Sequence, residues 1–101
     1  MSAHHPATAE LDLATVLHAL SDPQRLQIVR ELAADPEPRA CGGFDLKVTK
    51  STCTHHFRVL REAGVIEQQQ LGTSRLNSLR RADLDERFPG LLDAVLAPVP
   101  A

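Results

Sequence analysis

The sequence predicts a mainly α-helical domain with one small β-hairpin. Three observations carry this reading. Apolar residues recur at helical spacing in four separate stretches of the chain. A glycine-centred turn, Leu71-Gly72-Thr73-Ser74, separates two runs that read as strands. A length of 101 residues fits one domain and leaves no room for a second. Only Phe44, Phe57 and Phe88 are aromatic, so the core has to be built from Leu, Val, Ile and Ala. So small a core is marginal alone and gains from pooling apolar surface with a second subunit.

Residues 1–10 lack periodicity and read as a flexible N-terminal arm. Leu13, Val16, Leu17 and Leu20 then predict a first helix over 11–20. Ser21-Asp22-Pro23-Gln24 is a restart signal, because Ser or Asp can cap free N–H groups and Pro suits a first turn. A second helix follows with Leu26, Val29, Leu32 and Ala33 inward, and Asp35-Pro36-Glu37-Pro38 ends it. Residues 39–43 read as a loop, and 44–48 as one short helix. Thr49 or Ser51 can cap the next helix, which runs to Ala63 with Gly64 as its C-terminal glycine. Strands are expected over 65–70 and 75–79. A last helix is expected from Phe88, Leu91, Leu92, Val95 and Leu96, with Pro89 in its first turn and 98–101 as a tail. Two helices, a tight connection, another helix and a hairpin match a winged helix-turn-helix over 11–97 with a two-stranded wing.

The formal net charge is −2, but the charge is unevenly placed. Residues 46–82 hold seven basic and two acidic side chains, so that stretch carries +5 against −7 for the rest. Such asymmetry suits a phosphate-facing surface on an acidic body. On a helical wheel over 50–64, Cys53, Phe57 and Leu60 form the inward stripe. Opposite them lie Ser51, Thr54, His55, Arg58 and Arg61, groups that donate to phosphates and base edges.

The run Thr49-Lys50-Ser51-Thr52-Cys53-Thr54-His55-His56-Phe57-Arg58-Val59-Leu60-Arg61-Glu62-Ala63-Gly64-Val65-Ile66 resembles the recognition-helix signature of ArsR/SmtB-type bacterial regulators. Upstream, Leu17-His18-Ala19-Leu20-Ser21-Asp22-Pro23-Gln24-Arg25-Leu26 resembles the start of the same domain, so the likeness covers 11–96. The resemblance implies a homodimer that binds promoter DNA, with repression as the default and activation as the alternative. It also implies that the first and last helices form the dimer interface. The candidates there are Leu13, Val16, Leu17 and Leu20 with Phe88, Leu91, Leu92, Val95 and Leu96. The candidate DNA contacts are Lys47, Lys50, Ser51, Thr52, Thr54, His55, Arg58 and Arg61, with Arg75 on the wing facing a minor groove. Arg80 and Arg81 have Asp83, Asp85 and Glu86 close by as alternative partners.

Relatives that the resemblance brings in release DNA on binding metal, so each implied site is taken in turn. A last-helix site of Asp and His finds Asp93 but no histidine after His56. A Cys-x-Cys pair before Asp45-Leu46 finds only Cys41. Cys41 with His4 or His5 is a further candidate. So is Ser2-Ala3-His4: without Met1, its amine, two amides and imidazole make a square-planar nitrogen set for Ni(II) or Cu(II), with His5 to assist. The candidate cofactors are therefore Ni(II), Cu(II) or Zn(II). Cys53 reads as a small inward hydrophobe, and His56 as a packing residue fixed by a hydrogen bond.

No nucleophile–base pair, phosphate loop or paired-carboxylate pocket appears, which excludes the enzyme classes. The alternative to a DNA-binding regulator is a winged-helix module that binds a partner protein. The chain shows no apolar run of membrane-spanning length and no secretion pattern, so a cytoplasmic location is expected.

Overall fold

The computed structural model describes residues 5–35, 37–40, 43–44 and 49–98. Each helix of the first half starts on a side-chain cap. Asp12 accepts from Thr15 N at 3.0 Å and opens α1, Leu13–Leu20. Asp22 accepts from Gln24 N at 2.8 Å and Arg25 N at 3.1 Å and opens α2, Pro23–Ala34, with Pro23 in its first turn. Thr49 accepts from Thr52 N at 3.2 Å and opens α3, Lys50–Ala63. Gly64 closes α3 at φ +86°, and its N–H is shared by Leu60 O and Arg61 O. A side chain there meets Pro6 and Leu11 as well as a backbone that only glycine adopts cheaply.

The hairpin consists of β2, Ile66–Leu71, and β3, Ser74–Leu79, turning at Gly72 with φ +61°. A short β1, Arg39–Ala40, pairs with β3 on its other side through Arg39↔Asn77 and Ala40↔Leu76. The wing is thus three-stranded in the order β1-β3-β2, and part of the expected 39–43 loop is strand. Two residues carry no periodicity, so this pairing was not readable locally. Of the expected short helix over 44–48, residues 45–48 lie outside the described residues. Phe44 is buried and tilts against Phe57, with ring centroids 5.3 Å apart.

The C-terminal part differs more. A helix, α4, spans Arg81–Arg87, and α5 spans Leu91–Leu96. The single helix expected from Phe88 onward starts later, because Gly90 at φ +85° interrupts the chain after Pro89. Only Leu84 of α4 is buried, so this helix has no apolar rhythm to announce it. Ion pairs from Arg80 to Asp83 at 3.0 Å and from Arg81 to Asp85 at 3.4 Å brace it instead.

The core gathers Val16, Ala19 and Leu20 of α1, Ile28, Val29 and Leu32 of α2, and Phe57, Leu60 and Ala63 of α3. Val65, Ile66, Leu84 and Leu92 complete it from the second half. Ile28, rather than Leu26, sits at the centre of the inner face of α2, and Leu26 is at its margin. The expected arm is described from His5 onward, and there it packs on the body. Pro6 is buried, Pro6 O accepts from Arg80 Nη1 at 2.7 Å, and a 3-10 turn runs over Thr8–Glu10. No helix among the described residues is long and apolar enough to cross a membrane.

Candidate nucleic-acid interface

Helix α3 packs against α1, α2 and β2, so only one face of it stays outside. Phe57 and Leu60 are buried and Cys53 is partly buried against the core. Lys50, Ser51, Thr52, Thr54, His55 and Arg58 are exposed. This is the division that the wheel predicts, apart from Arg61. The Thr49 and Thr52 hydroxyls are tied together at 2.9 Å in the cap, and Thr54 Oγ1 donates to Lys50 O at 3.0 Å. The Thr54 hydroxyl therefore keeps its acceptor capacity for a ligand rather than its donor. Lys47 lies outside the described residues.

Arg61 does not stand outward as expected. Its side chain is 15% exposed and lies in the seam between α3 and the wing. Arg61 Nη1 donates to Gln68 Oε1 at 3.0 Å, while Glu62 Oε1 is 3.9 Å from Nη2. Its Nε is buried with no hydrogen-bond partner among the described residues. Gln68 is in turn locked: its Nε2 donates to Asn77 Oδ1 at 2.7 Å, and Asn77 Nδ2 donates to Arg39 O at 3.0 Å. Both amides are buried, and they face each other in register across β2 and β3. The roles of Gln68 and Asn77 were not anticipated. Period-two alternation with the buried Ile66 was the available signal, since it puts Gln68 on the same inner side.

Arg75 is exposed at the start of β3, paired in register with Gln70. Among the described residues neither Arg58 nor Arg75 has an ion-pair or hydrogen-bond partner. Arg80 and Arg81 do: besides Asp83 and Asp85, Arg81 Nη2 donates to Asp93 Oδ1. The basic surface is therefore narrower than the charge count over 46–82 suggests. It centres on Lys50, Arg58, Arg61 and Arg75. A cleft of about 420 Å³ opens between α3 and the wing, and Arg58, Arg61 and Arg75 all line it.

Behind α3, His56 is buried. Its Nδ1 accepts from Arg25 Nη1 at 3.2 Å, and its Nε2 stands 3.8 Å from Asp22 Oδ2. An Arg only donates, so the imidazole is neutral with its proton on Nε2, facing the carboxylate. Burial is the main force holding His56 below its ordinary pKa; Asp22 opposes this, and the charges of Arg25 and His55 add to it. Burial pushes the Asp22 carboxyl up, but the Arg25 and Gln24 N–H bonds and the nearby Arg25 charge outweigh it and hold the group low.

The candidate metal ligands do not assemble among the described residues, where no three His, Cys, Asp or Glu side chains form a group that could hold a metal. His4 and Cys41 lie outside those residues. His5 Nε2 accepts from Gln68 N at 3.0 Å, so its lone pair is already engaged. Asp93 is occupied by Arg81. The candidate interface residues divide in two. Val16, Leu20 and Leu92 are buried in the chain's own core and have no surface to offer a partner. Leu13 and Leu17 are each 46% exposed, one turn apart on α1, and Phe88, Leu91, Val95 and Leu96 are partly buried.

Comparison with known proteins places this geometry. Residues 20–69 match a family model described as a helix-turn-helix domain. The uncharacterized HTH-type transcriptional regulator YceK of Bacillus subtilis (strain 168) is 33% identical over 84 residues, 81% of this chain and 84% of that protein. The HTH-type transcriptional regulator NmtR of Mycobacterium tuberculosis is 32% identical over 95 residues, 94% of this chain and 76% of that one. Among solved structures, an ArsR-like transcriptional regulator from Rhodococcus sp. RHA1 superposes with a TM-score of 0.65 at 25% identity, covering 81% of this chain and 77% of that one. The transcriptional repressor BigR from Xylella fastidiosa has the same fold, with a TM-score of 0.63 at 22% identity over 86% of this chain and 88% of that one.

Proposed function

This chain belongs to the ArsR-type winged helix-turn-helix transcription regulators, DNA-binding proteins and not enzymes, and on that premise we propose that it binds an inverted-repeat promoter site as a homodimer and represses from it. One observation supports the reading above the others. The exposed face of α3 carries Ser51, Thr54, His55 and Arg58, and the wing beside it carries Arg75. The two arginines are left without protein partners among the described residues. Helix α3 enters a major groove, where Arg58 pairs with a guanine edge and the hydroxyls and His55 meet phosphates or bases. Twofold symmetry sets the half-sites about one helical turn apart, roughly 10 bp, or a multiple of it. The half-exposed Leu13 and Leu17 of α1 are the apolar surface that a second copy covers.

Metal response is the finer part of the proposal. The Ser2-Ala3-His4 start supplies a nitrogen set for Ni(II) or Cu(II) once Met1 is removed, and Cys41 supplies a thiolate for Zn(II). His5 joins such a site through Nε2 only by giving up Gln68 N–H. Titration of Ni(II) into Met-processed protein and a His4→Ala variant tests this; equal binding by both removes the amino-terminal site.

The reading as a whole is tested by anisotropy titration of palindromic fragments from the gene's upstream region at fixed salt, with and without Ni(II), Zn(II) and Cu(II). Binding well above that to random duplex supports a sequence-specific regulator, and a metal-dependent change supports the sensor. Binding no tighter than to random duplex, across fragments selected from the whole genome, overturns the reading in favour of a protein-interaction module.

A further inference from the structure

We infer that the cleft between α3 and the wing is the seat of a single phosphodiester group of the DNA backbone, with Arg61 as its fixed base and Arg75 closing on it. The inference rests on the DNA-binding reading and assigns the cleft its own task, separate from base reading.

The first support is a weakly matched charge. Arg61 is 85% covered; among the described residues its hydrogen-bond partner is the neutral amide of Gln68, and its one carboxylate, on the half-exposed Glu62, stands 3.9 Å away. Its Nε has no hydrogen-bond partner among the described residues. A guanidinium withdrawn from water and matched only by a distant, half-exposed carboxylate is unfavourable, and it raises the positive potential of the cleft it lines. Arg58 and Arg75 line the same cleft, and among the described residues no acidic side chain does. Three like charges around one hollow repel each other until an anion enters.

The second support is preorganisation. Gln68 fixes Arg61 through Nη1, and Asn77 fixes Gln68, with both amides buried between paired strands. The Arg61 fork therefore loses little freedom when it takes a ligand. The walls offer guanidinium N–H groups, which donate and never accept. That suits the oxygens of a phosphate, which accept and never donate. Position agrees: when a helix lies in the major groove and its wing reaches across to the next groove, what passes between the two is the sugar–phosphate backbone.

The experiment is an anisotropy titration of the operator duplex with each phosphate replaced in turn by an uncharged methylphosphonate, using wild-type protein and the surface variant Arg75→Gln. One position in each half-site is expected to weaken wild-type binding roughly tenfold. The same replacement should cost Arg75→Gln less than it costs the wild type, because the Arg75 share of the contact is already lost while that of Arg61 remains. Arg75→Gln should also lower operator and random-duplex affinity alike and reduce the slope of log K against log salt by about 1. Full additivity at every position, or a loss confined to the operator, overturns the cleft assignment while leaving the DNA-binding reading intact. A wild-type protein that binds no duplex overturns both.

Discussion

Arg25 and His56 are joined inside the core, with Arg25 Nη1 donating to His56 Nδ1 at 3.2 Å. The same guanidinium donates through Nε to Ala19 O at 2.6 Å and through Nη2 to His18 O at 3.3 Å. One side chain of α2 thus ties the last turn of α1 to the back of α3. The arrangement needs a neutral His56, because a proton on Nδ1 would point at an arginine.

That requirement gives a pH dependence with a definite sign. His56 is held below its ordinary value of 6.5, so between that value and the lower folded one the unfolded chain binds the proton and the folded chain does not. Stability is complete above pH 6.5 and falls as the pH drops through it; the loss stops below the folded value, where both states are protonated. Urea unfolding between pH 5 and 8 should show this slope, and His56→Gln should flatten it. The other histidines are common to both proteins, so an identical slope in the two would mean that His56 is not its source.

Gly64→Ala should destabilise the fold by at least about 1–3 kcal/mol. The residue sits at φ +86°, and an added Cβ meets Leu11 Cδ2 and, at 3.1 Å, Pro6 Cγ. The cost has two parts, strain at the end of α3 and displacement of the packed N-terminal segment. Chemical denaturation measures it, and a change within about 0.5 kcal/mol, the range of an ordinary surface substitution, would contradict both parts.

The pairing surface separates from the core by two substitutions. Leu17→Glu places a charge on a half-exposed position and should halve the mass in light scattering with the helical circular dichroism retained. Leu92→Glu buries a charge in the monomer's own core and should unfold the chain instead. A dimeric Leu17→Glu protein would move the interface away from α1.

Arg58→Ala should lower the discrimination between operator and scrambled duplex by roughly 1–3 kcal/mol if the guanidinium reads a base. Fluorescence anisotropy at fixed salt measures it on both duplexes. Equal losses on the two would assign Arg58 to phosphate alone.

The linear pattern by itself determined the first two helices, a cap at Ser21 or Asp22 and another at Thr49 or Ser51, the glycine stop at Gly64, the hairpin and the two faces of α3, and the structure chose Asp22 and Thr49. Each of these is settled within a few residues, by capping chemistry, by a backbone angle or by helical periodicity. Even the role of His56 was legible, because its place at the edge of an apolar stripe demands a partner. What only the tertiary structure decided are relationships between distant segments. Two residues at Arg39 become a strand because β3 has a free edge there. Val16 of α1 and Leu92 of α5 face inward rather than toward a second subunit because both pack into the chain's own core, and α4 and the break at Gly90 set where Leu92 falls. Arg61 leaves the outer face because a buried amide, seven residues on and across a turn, accepts its N–H. Local rules set periodicity and caps, but they hold no information about which long side chain reaches a neighbour. That depends on where the strands pack, and so it was fixed only when the chain closed on itself.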